Sequence, residues 1–330
     1  MIEAGKERAV SYLEVDAGRE GQRIDNFLTA HLKGVPRSHI YRLLRTGQVR
    51  VNKGRIQATY RLKQGDVVRV PPVSTAEAVP VRVGAELLEA LEQAILYEDS
   101  GILILDKPAG LAVHGGSGLR YGLIEILREL RPNDRDITLV HRLDRDTSGC
   151  LLVAKDRRLL PALTEAFRRH EVEKRYLTLV RGRWKGGART IRAALTRARL
   201  QSGERMVQAD DEGREAETRF TPVRRLPGAT LMEASIRTGR THQIRVHAAA
   251  LGHPVAGDEK YGDPVFNQAM RRQGLKRMFL HAHRLALRVG GERIEATAEL
   301  PPVLARVVLT LAEAAATGEE RGRRKEGGGT

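Results

Sequence analysis

The spacing of apolar and polar residues divides the chain into two structured stretches. The first covers residues 21–75. Ile24, Phe27 and Leu28 recur at helical spacing, and Ile40, Leu43 and Leu44 form a second helical stripe, which Pro36 is placed to begin and Gly47 to end. Residues 49–52 and 67–70 alternate as short strands, the latter after a Gln-Gly-Asp turn. Residues 1–20 are polar and read as a flexible N-terminus, and residues 76–90 are weakly periodic and read as a linker.

The second stretch covers residues 91–316. Residues 95–97 and 102–105 read as strands joined across Asp99-Ser100-Gly101. Leu123, Ile126, Leu127 and Leu130 are spaced as a helix, as are Leu160, Leu163 and Phe167. Residues 176–180, 231–236 and 285–289 read as further strands and 302–316 as a closing helix. Helices and strands mix without strict βαβ alternation, which predicts an α+β fold with a largely antiparallel sheet. The charged, glycine-rich residues 317–330 are expected to be disordered.

Charge adds a partner to this picture. With 57 Lys and Arg against 41 Asp and Glu, the net charge is +16, which favours a polyanion. Arg37, Tyr41 and Arg45 form a stripe beside the apolar face of the second helix, near Arg42, Arg50, Lys53 and Arg55. By itself that stripe fits an RNA contact and a solvated helix face equally well. Cys150 is the single cysteine, which excludes an internal disulfide and a cysteine-based zinc cluster. The first residues have no apolar signal core and no stretch reaches the length of a membrane span, so a cytoplasmic location is expected.

Four segments are dense in chemistry. Residues 141–149, His-Arg-Leu-Asp-Arg-Asp-Thr-Ser-Gly, feed directly into the apolar run Leu151 to Ala154. A polar loop entering a buried strand can hold Asp144 rigidly at a pocket, with Arg142 and Arg145 near enough to keep it ionised. Asp106-Lys107-Pro108-Ala109-Gly110 ends a buried strand, and Glu173-Lys174-Arg175-Tyr176 opens another. Residues 238–247 read as a strand end, a threonine N-cap and a helix, on which Ile244, Ala248 and Leu251 pack inward while His242 and Arg245 face a cleft. A hydrolase drawn from His114-Gly115-Gly116-Ser117 fails, because Leu119 stands where a nucleophile elbow needs glycine. A metal site drawn from His242, His247 and His253 fails as well, since there is no His-Glu-x-x-His helix.

Gly21-Gln22-Arg23-Ile24-Asp25, Arg37-Ser38 and Gly47-Gln48-Val49-Arg50-Val51-Asn52 resemble an S4 RNA-binding domain. That resemblance implies that Arg37, Arg45, Arg50 and Lys53 touch RNA backbone. The His-Arg-Leu-Asp-x-x-Thr-Ser-Gly string, the Lys-x-Tyr and Gly-Arg-Thr-His-Gln-Ile-Arg, in this order, resemble the bacterial RNA pseudouridine synthases that include ribosomal large-subunit synthases A, C and D. The likeness runs from about Arg23 to Pro302, and the N-terminal segments are more similar to C-type members than to D-type ones.

The resemblance implies isomerisation of uridine in 23S ribosomal RNA, or in a large-subunit assembly intermediate, by a monomer without metal or organic cofactor. It makes Asp144 the catalytic carboxylate, as nucleophile at C1′ or as base at C2′ of a flipped-out nucleotide. It lays Tyr176 against the base and pairs Arg245 with Asp144. Arg142, two residues before Asp144, is placed to fill the vacated stack, His242 is read as a substrate contact, and Lys107 and Lys174 are read as steering the substrate's phosphates or as simply solvated. The alternatives are D-type specificity and a non-catalytic ribosome-assembly factor, the second opposed by the intact Asp144, Tyr176 and Arg245 set.

Overall fold

The computed structural model describes residues 10–32, 35, 37–73, 84–115, 121–134, 136–199, 205–209, 213 and 215–326. The chain forms two compact units, one holding the described residues up to Val73 and the other the described residues from Gly84 onward.

In the N-terminal unit, strand β1 (Ser11–Glu14) precedes helices α1 (Ile24–His31) and α2 (Arg37–Arg45) and strands β2 (Arg50–Val51) and β3 (Val67–Val70). The strands make an antiparallel sheet in the order β1-β3-β2. Both predicted helical stripes are buried, and Ile24, Phe27, Leu28, Ile40, Leu43 and Leu44 share one core with Val49, Val51, Val68 and Val70. Gly47 ends α2 with φ +70°.

Two expectations are corrected here. Residues 11–19 are not loose: β1 pairs with β3 and Val15 is buried behind it, a four-residue edge strand being too short for alternation to stand out. Residues 49–52 are not all strand, because Asn52 and Lys53 turn with φ of 46° and 68° and the Gly54 N–H donates to the Val51 carbonyl.

The larger unit opens with helix α3 (Ala85–Gln93), so the second half of the expected linker is helical and buries Leu91. There follow β4 (Ile95–Glu98), β5 (Ile102–Lys107), α4 (Leu123–Leu130), β6 (Thr138–Leu139), β7 (Ser148–Ala154), α5 (Leu160–Arg168), β8 (Glu173–Arg181) and β9 (Arg189–Arg192). The hairpin strands β10 (Leu195–Arg199) and β11 (Arg205–Ala209) precede β12 (Glu217–Leu226) and β13 (Ala229–Ile236). Last come α6 (Gln243–Ala250), α7 (Pro264–Arg272), β14 (Leu280–Val289), β15 (Glu292–Thr297) and α8 (Pro302–Glu326).

The main sheet runs β4-β5-β7-β14-β8-β13-β12-β9, with β6 beside β7 and β15 beside β14. Only β7 with β14 is parallel among its described pairs, which bears out an antiparallel-dominated α+β fold. β7 is buried along its whole length because both faces are covered, which explains its unbroken apolar run. Cys150, Leu152 and Ala154 pack with Ile102, Ile104, Leu163 and Leu285 on one of those faces. Gly149 permits the close parallel approach: at φ +110°, a Cβ there would lie 2.3 Å from the Ala282 carbonyl oxygen.

Helix α8 continues to Glu326, where disorder from residue 317 was expected. Glu, Arg and Lys are good helix formers, and no proline interrupts them. Residues 327–330 lie outside the described part. Among the described residues no helix is long and apolar enough to cross a membrane.

Candidate active site

The loop before β7 is braced on both sides. Antiparallel pairing of β5 with β7 sets Lys107 opposite Gly149, so residues 107–111 lie along the Asp144 loop. The Gly110 N–H donates to the Arg145 carbonyl at 2.8 Å, and Arg145 Nε donates back to the Gly110 carbonyl at 3.1 Å. The Lys107 ammonium donates to the carbonyls of Pro108, Leu111 and Arg145 at 2.7, 2.8 and 3.1 Å. These contacts use all three of its hydrogens. Burial pushes the Lys107 pKa down to about 8. Lys107, expected to contact substrate, is therefore corrected to an internal support of the loop.

Behind the loop, Arg277 donates to Ser148 Oγ at 2.7 Å and to the Asp146 carbonyl at 3.3 Å. Ser148 Oγ lies 2.9 Å from His281 Nδ1, and His281 Nε2 lies 3.0 Å from the Ala298 carbonyl. A carbonyl only accepts, so Nε2 carries the His281 proton and the Ser148 hydroxyl donates to Nδ1. Burial lowers the His281 pKa to about 4, keeping it neutral. His141 accepts from the Leu152 N–H at 3.0 Å and stacks on Phe167, and burial drives its pKa down to about 3.

Across the pocket, α6 begins without the expected threonine cap. His242 occupies the N-cap position at φ +56° and makes no capping bond. Gln243 holds the turn instead. Its Oε1 accepts from the Thr238 hydroxyl and the Arg240 N–H, and its Nε2 donates to the Glu217 carbonyl and the Thr218 hydroxyl. Ile244 and Ala248 are buried as the helical spacing predicted, and His242 and Arg245 line the pocket.

That pocket is lined by Arg142, Leu143, Asp144, Thr147, Tyr176, Ile236, Leu280 and residues 239–245. Arg245 Nη1 lies 3.4 Å from Asp144 Oδ2 and His242 Nε2 lies 3.8 Å from the same oxygen. The tighter partner of Arg245 is Asp258, to which Nε and Nη2 donate at 2.6 and 2.8 Å. Asp258 is buried and also accepts from the N–H groups of Lys260 and Tyr261. Burial opposes both charges, yet the mutual hydrogen bonds and attraction outweigh it, raising the Arg245 pKa and lowering that of Asp258.

Tyr176 is buried in the pocket wall. Burial, reinforced by the nearby negative charge of Asp144, raises its pKa, so the phenol stays protonated at neutral pH. Arg142 is exposed at the rim, and Arg145 is turned to Gly110. The expectation that Arg142 and Arg145 keep Asp144 ionised is thus corrected: the cation at its carboxylate is Arg245. Lys174 is likewise not a surface contact. It is buried over the Phe167 ring, 3.3 Å from the Arg237 carbonyl, with its pKa lowered to about 8 by burial.

In the N-terminal unit Arg45, Arg50 and Lys53 are exposed. Arg50 and Lys53 line a groove with Tyr12 and Arg69, while Arg45 lines another with Tyr41, Arg42 and Arg55. The side chain of Arg37 lies outside the described part. The Tyr41 hydroxyl donates to buried Asp25 at 2.7 Å, so this aromatic also serves the fold.

A family model described as RNA pseudouridylate synthase matches residues 101–250, and an S4 domain model matches residues 22–68. The chain is 50% identical over 310 residues to "Ribosomal large subunit pseudouridine synthase C" of Pasteurella multocida, covering 93% of this chain and 95% of that protein. The chain belongs to the RNA pseudouridylate synthase family. Proteins of the same name from Yersinia pestis and Escherichia coli are 55% and 53% identical, each over 83% of this chain and over 86% and 87% of their own lengths. The solved structure of "Human RNA Pseudouridylate Synthase Domain Containing 4" shares the fold, with TM-score 0.58 and 24% identity, covering 69% of this chain and 96% of that one. The chain is thus an RNA pseudouridine synthase with an N-terminal S4 domain.

Sequence reasoning missed Asp258, Tyr261, Arg277 and His281. Asp258 follows a glycine in a polar loop, where aspartate ordinarily marks a turn. His281 and Arg277 become meaningful only through the β7–β14 pairing, a contact across some 130 residues.

Proposed function

We propose that this enzyme converts uridine to pseudouridine in large-subunit ribosomal RNA with the C-type specificity of its relatives, working in the cytoplasm as a monomer. The reading is carried by their shared name, at 50–55% identity over 83–93% of this chain. The isomerisation breaks N1–C1′, joins C5 to C1′ and moves the C5 proton to solvent while N1 gains one, so no redox partner is required.

Asp144 is the reacting carboxylate, at C1′ or at the C2′ proton, in a pocket where the Arg245 guanidinium stands beside it. Tyr176 is the wall against which the detached uracil turns. Its raised pKa favours that role over removal of the C5 proton. Arg142, exposed at the rim, fills the stack when the nucleotide flips, a step costing about a few kcal/mol. Arg45, Arg50 and Lys53 bind RNA backbone.

Mapping pseudouridines across rRNA from a strain lacking this protein tests the substrate. Specific large-subunit sites should revert to uridine and return with the wild-type gene. An unchanged rRNA map would overturn the assignment.

A further inference from the structure

Among the described residues, the two cation-type contacts to the Asp144 carboxylate fall on one oxygen, Oδ2: Arg245 Nη1 at 3.4 Å and His242 Nε2 at 3.8 Å. His242 is itself held in place. Its Nδ1 lies 2.9 Å from the Tyr261 hydroxyl, and its ring meets the Tyr261 ring edge-on at 5.4 Å. The Tyr261 oxygen accepts from the Val207 N–H of β11 at 3.0 Å. Among the described residues its proton meets no acceptor other than His242 Nδ1. The hydroxyl therefore donates to Nδ1, which fixes the neutral imidazole as the tautomer bearing its proton on Nε2. Burial lowers the His242 pKa, consistent with the neutral ring.

From this geometry we infer that Tyr261 and His242 are positioning residues for the isomerisation, Tyr261 fixing the tautomer whose Nε2–H donates to Asp144 Oδ2. Oδ1 is thereby left as the oxygen that meets the ribose. At 3.8 Å the His242 contact is open, and it shortens to a hydrogen bond when substrate fills the pocket. The left-handed backbone at position 242 serves the same end by turning the ring towards Asp144. Tyr261 also lies under the Arg245 guanidinium, 5.0 Å from its ring centroid, so one side chain steadies both donors to Oδ2.

The inference rests on Asp144 as the reacting carboxylate, and the experiment separates the two. Single-turnover tritium release from C5-labelled uridine in rRNA is measured for wild type, Asp144→Ala, His242→Ala, His242→Gln and Tyr261→Phe, with RNA affinity measured alongside. We expect His242→Ala to lose about 10- to 100-fold in rate with affinity held within about twofold. His242→Gln, whose amide N–H replaces Nε2–H, should recover most of that loss. Tyr261→Phe, which keeps the ring and loses the hydroxyl, should lose about 3- to 10-fold in rate alone. An inactive Asp144→Ala beside full-rate His242→Ala and Tyr261→Phe would overturn the inference and spare the proposed function. A His242→Gln enzyme as slow as His242→Ala would overturn the donor role. An active Asp144→Ala would overturn the proposed function itself.

Discussion

Replacing Asp258 by asparagine probes the support of the pocket without touching the reacting groups. In the native site Oδ1 accepts from Arg245 Nη2 and from the N–H groups of Lys260 and Tyr261, while Oδ2 accepts from Arg245 Nε. An asparagine oxygen can keep the Oδ1 set, but its NH₂ then faces the Arg245 Nε–H, donor against donor. One charge-assisted bond is lost, at about 1.5–3 kcal/mol. The charge of a largely buried guanidinium is also left without its main partner, which brings the total to about 3–5 kcal/mol. For a unit of this size that is a fall in Tm of about 6–20 °C. Arg245 should then turn fully to Asp144 and occupy the oxygen meant for substrate, so turnover falls as well. Thermal melts and urea titrations read the first effect, and single-turnover tritium release below the new Tm reads the second. An Asp258→Asn enzyme that melts within 2 °C of wild type and turns over at full rate would refute the claim that Asp258 holds Arg245.

Three further outcomes are expected. Asp25 is buried with its pKa lowered to about 2, chiefly by the Arg23 hydrogen bonds and then that of Tyr41, against burial. A depressed folded pKa gives stability that is present above about pH 4 and lost as pH falls towards 2. The N-terminal unit should lose about 2 kcal/mol over that window, and Asp25→Asn should abolish this pH dependence in acid titrations followed by circular dichroism. Lys107→Met strands three carbonyls beneath the Asp144 loop and should lower kcat with little change in KM; a fall in RNA affinity at unchanged kcat would return Lys107 to the surface role first expected. Combined Arg50→Ala and Lys53→Ala should weaken rRNA binding and shallow the slope of log K against log salt by about 1–2, as read by filter binding across a salt series.

Much of the architecture is written in local pattern. The apolar stripes of α1 and α2, the unbroken run of β7 and the polar loop before it are each legible within about ten residues. The β9 end of the sheet is not. β9 at that edge and β12 beside it carry arginines and threonines on open faces, and their burial follows neighbours far along the chain. The site divides in the same way. Asp144, Tyr176 and Arg245 stand in recognisable strings, and the fold gathers them at one pocket. The roles of Lys107 and Lys174 were misread because a lysine in a polar string looks solvent-facing, whereas carbonyls of its own turn and of the distant Arg145 satisfy one and an aromatic ring lies against the other. Asp258 and Tyr261 act through α6, which no local pattern around them records.

The most direct measurement is single-turnover tritium release from C5-labelled uridine in large-subunit rRNA by wild-type enzyme and by Asp144→Asn, a replacement of equal size that removes the charge. The account predicts release from the wild type and none above background from the variant, with RNA binding and Tm preserved. Release at the wild-type rate from the variant would contradict it.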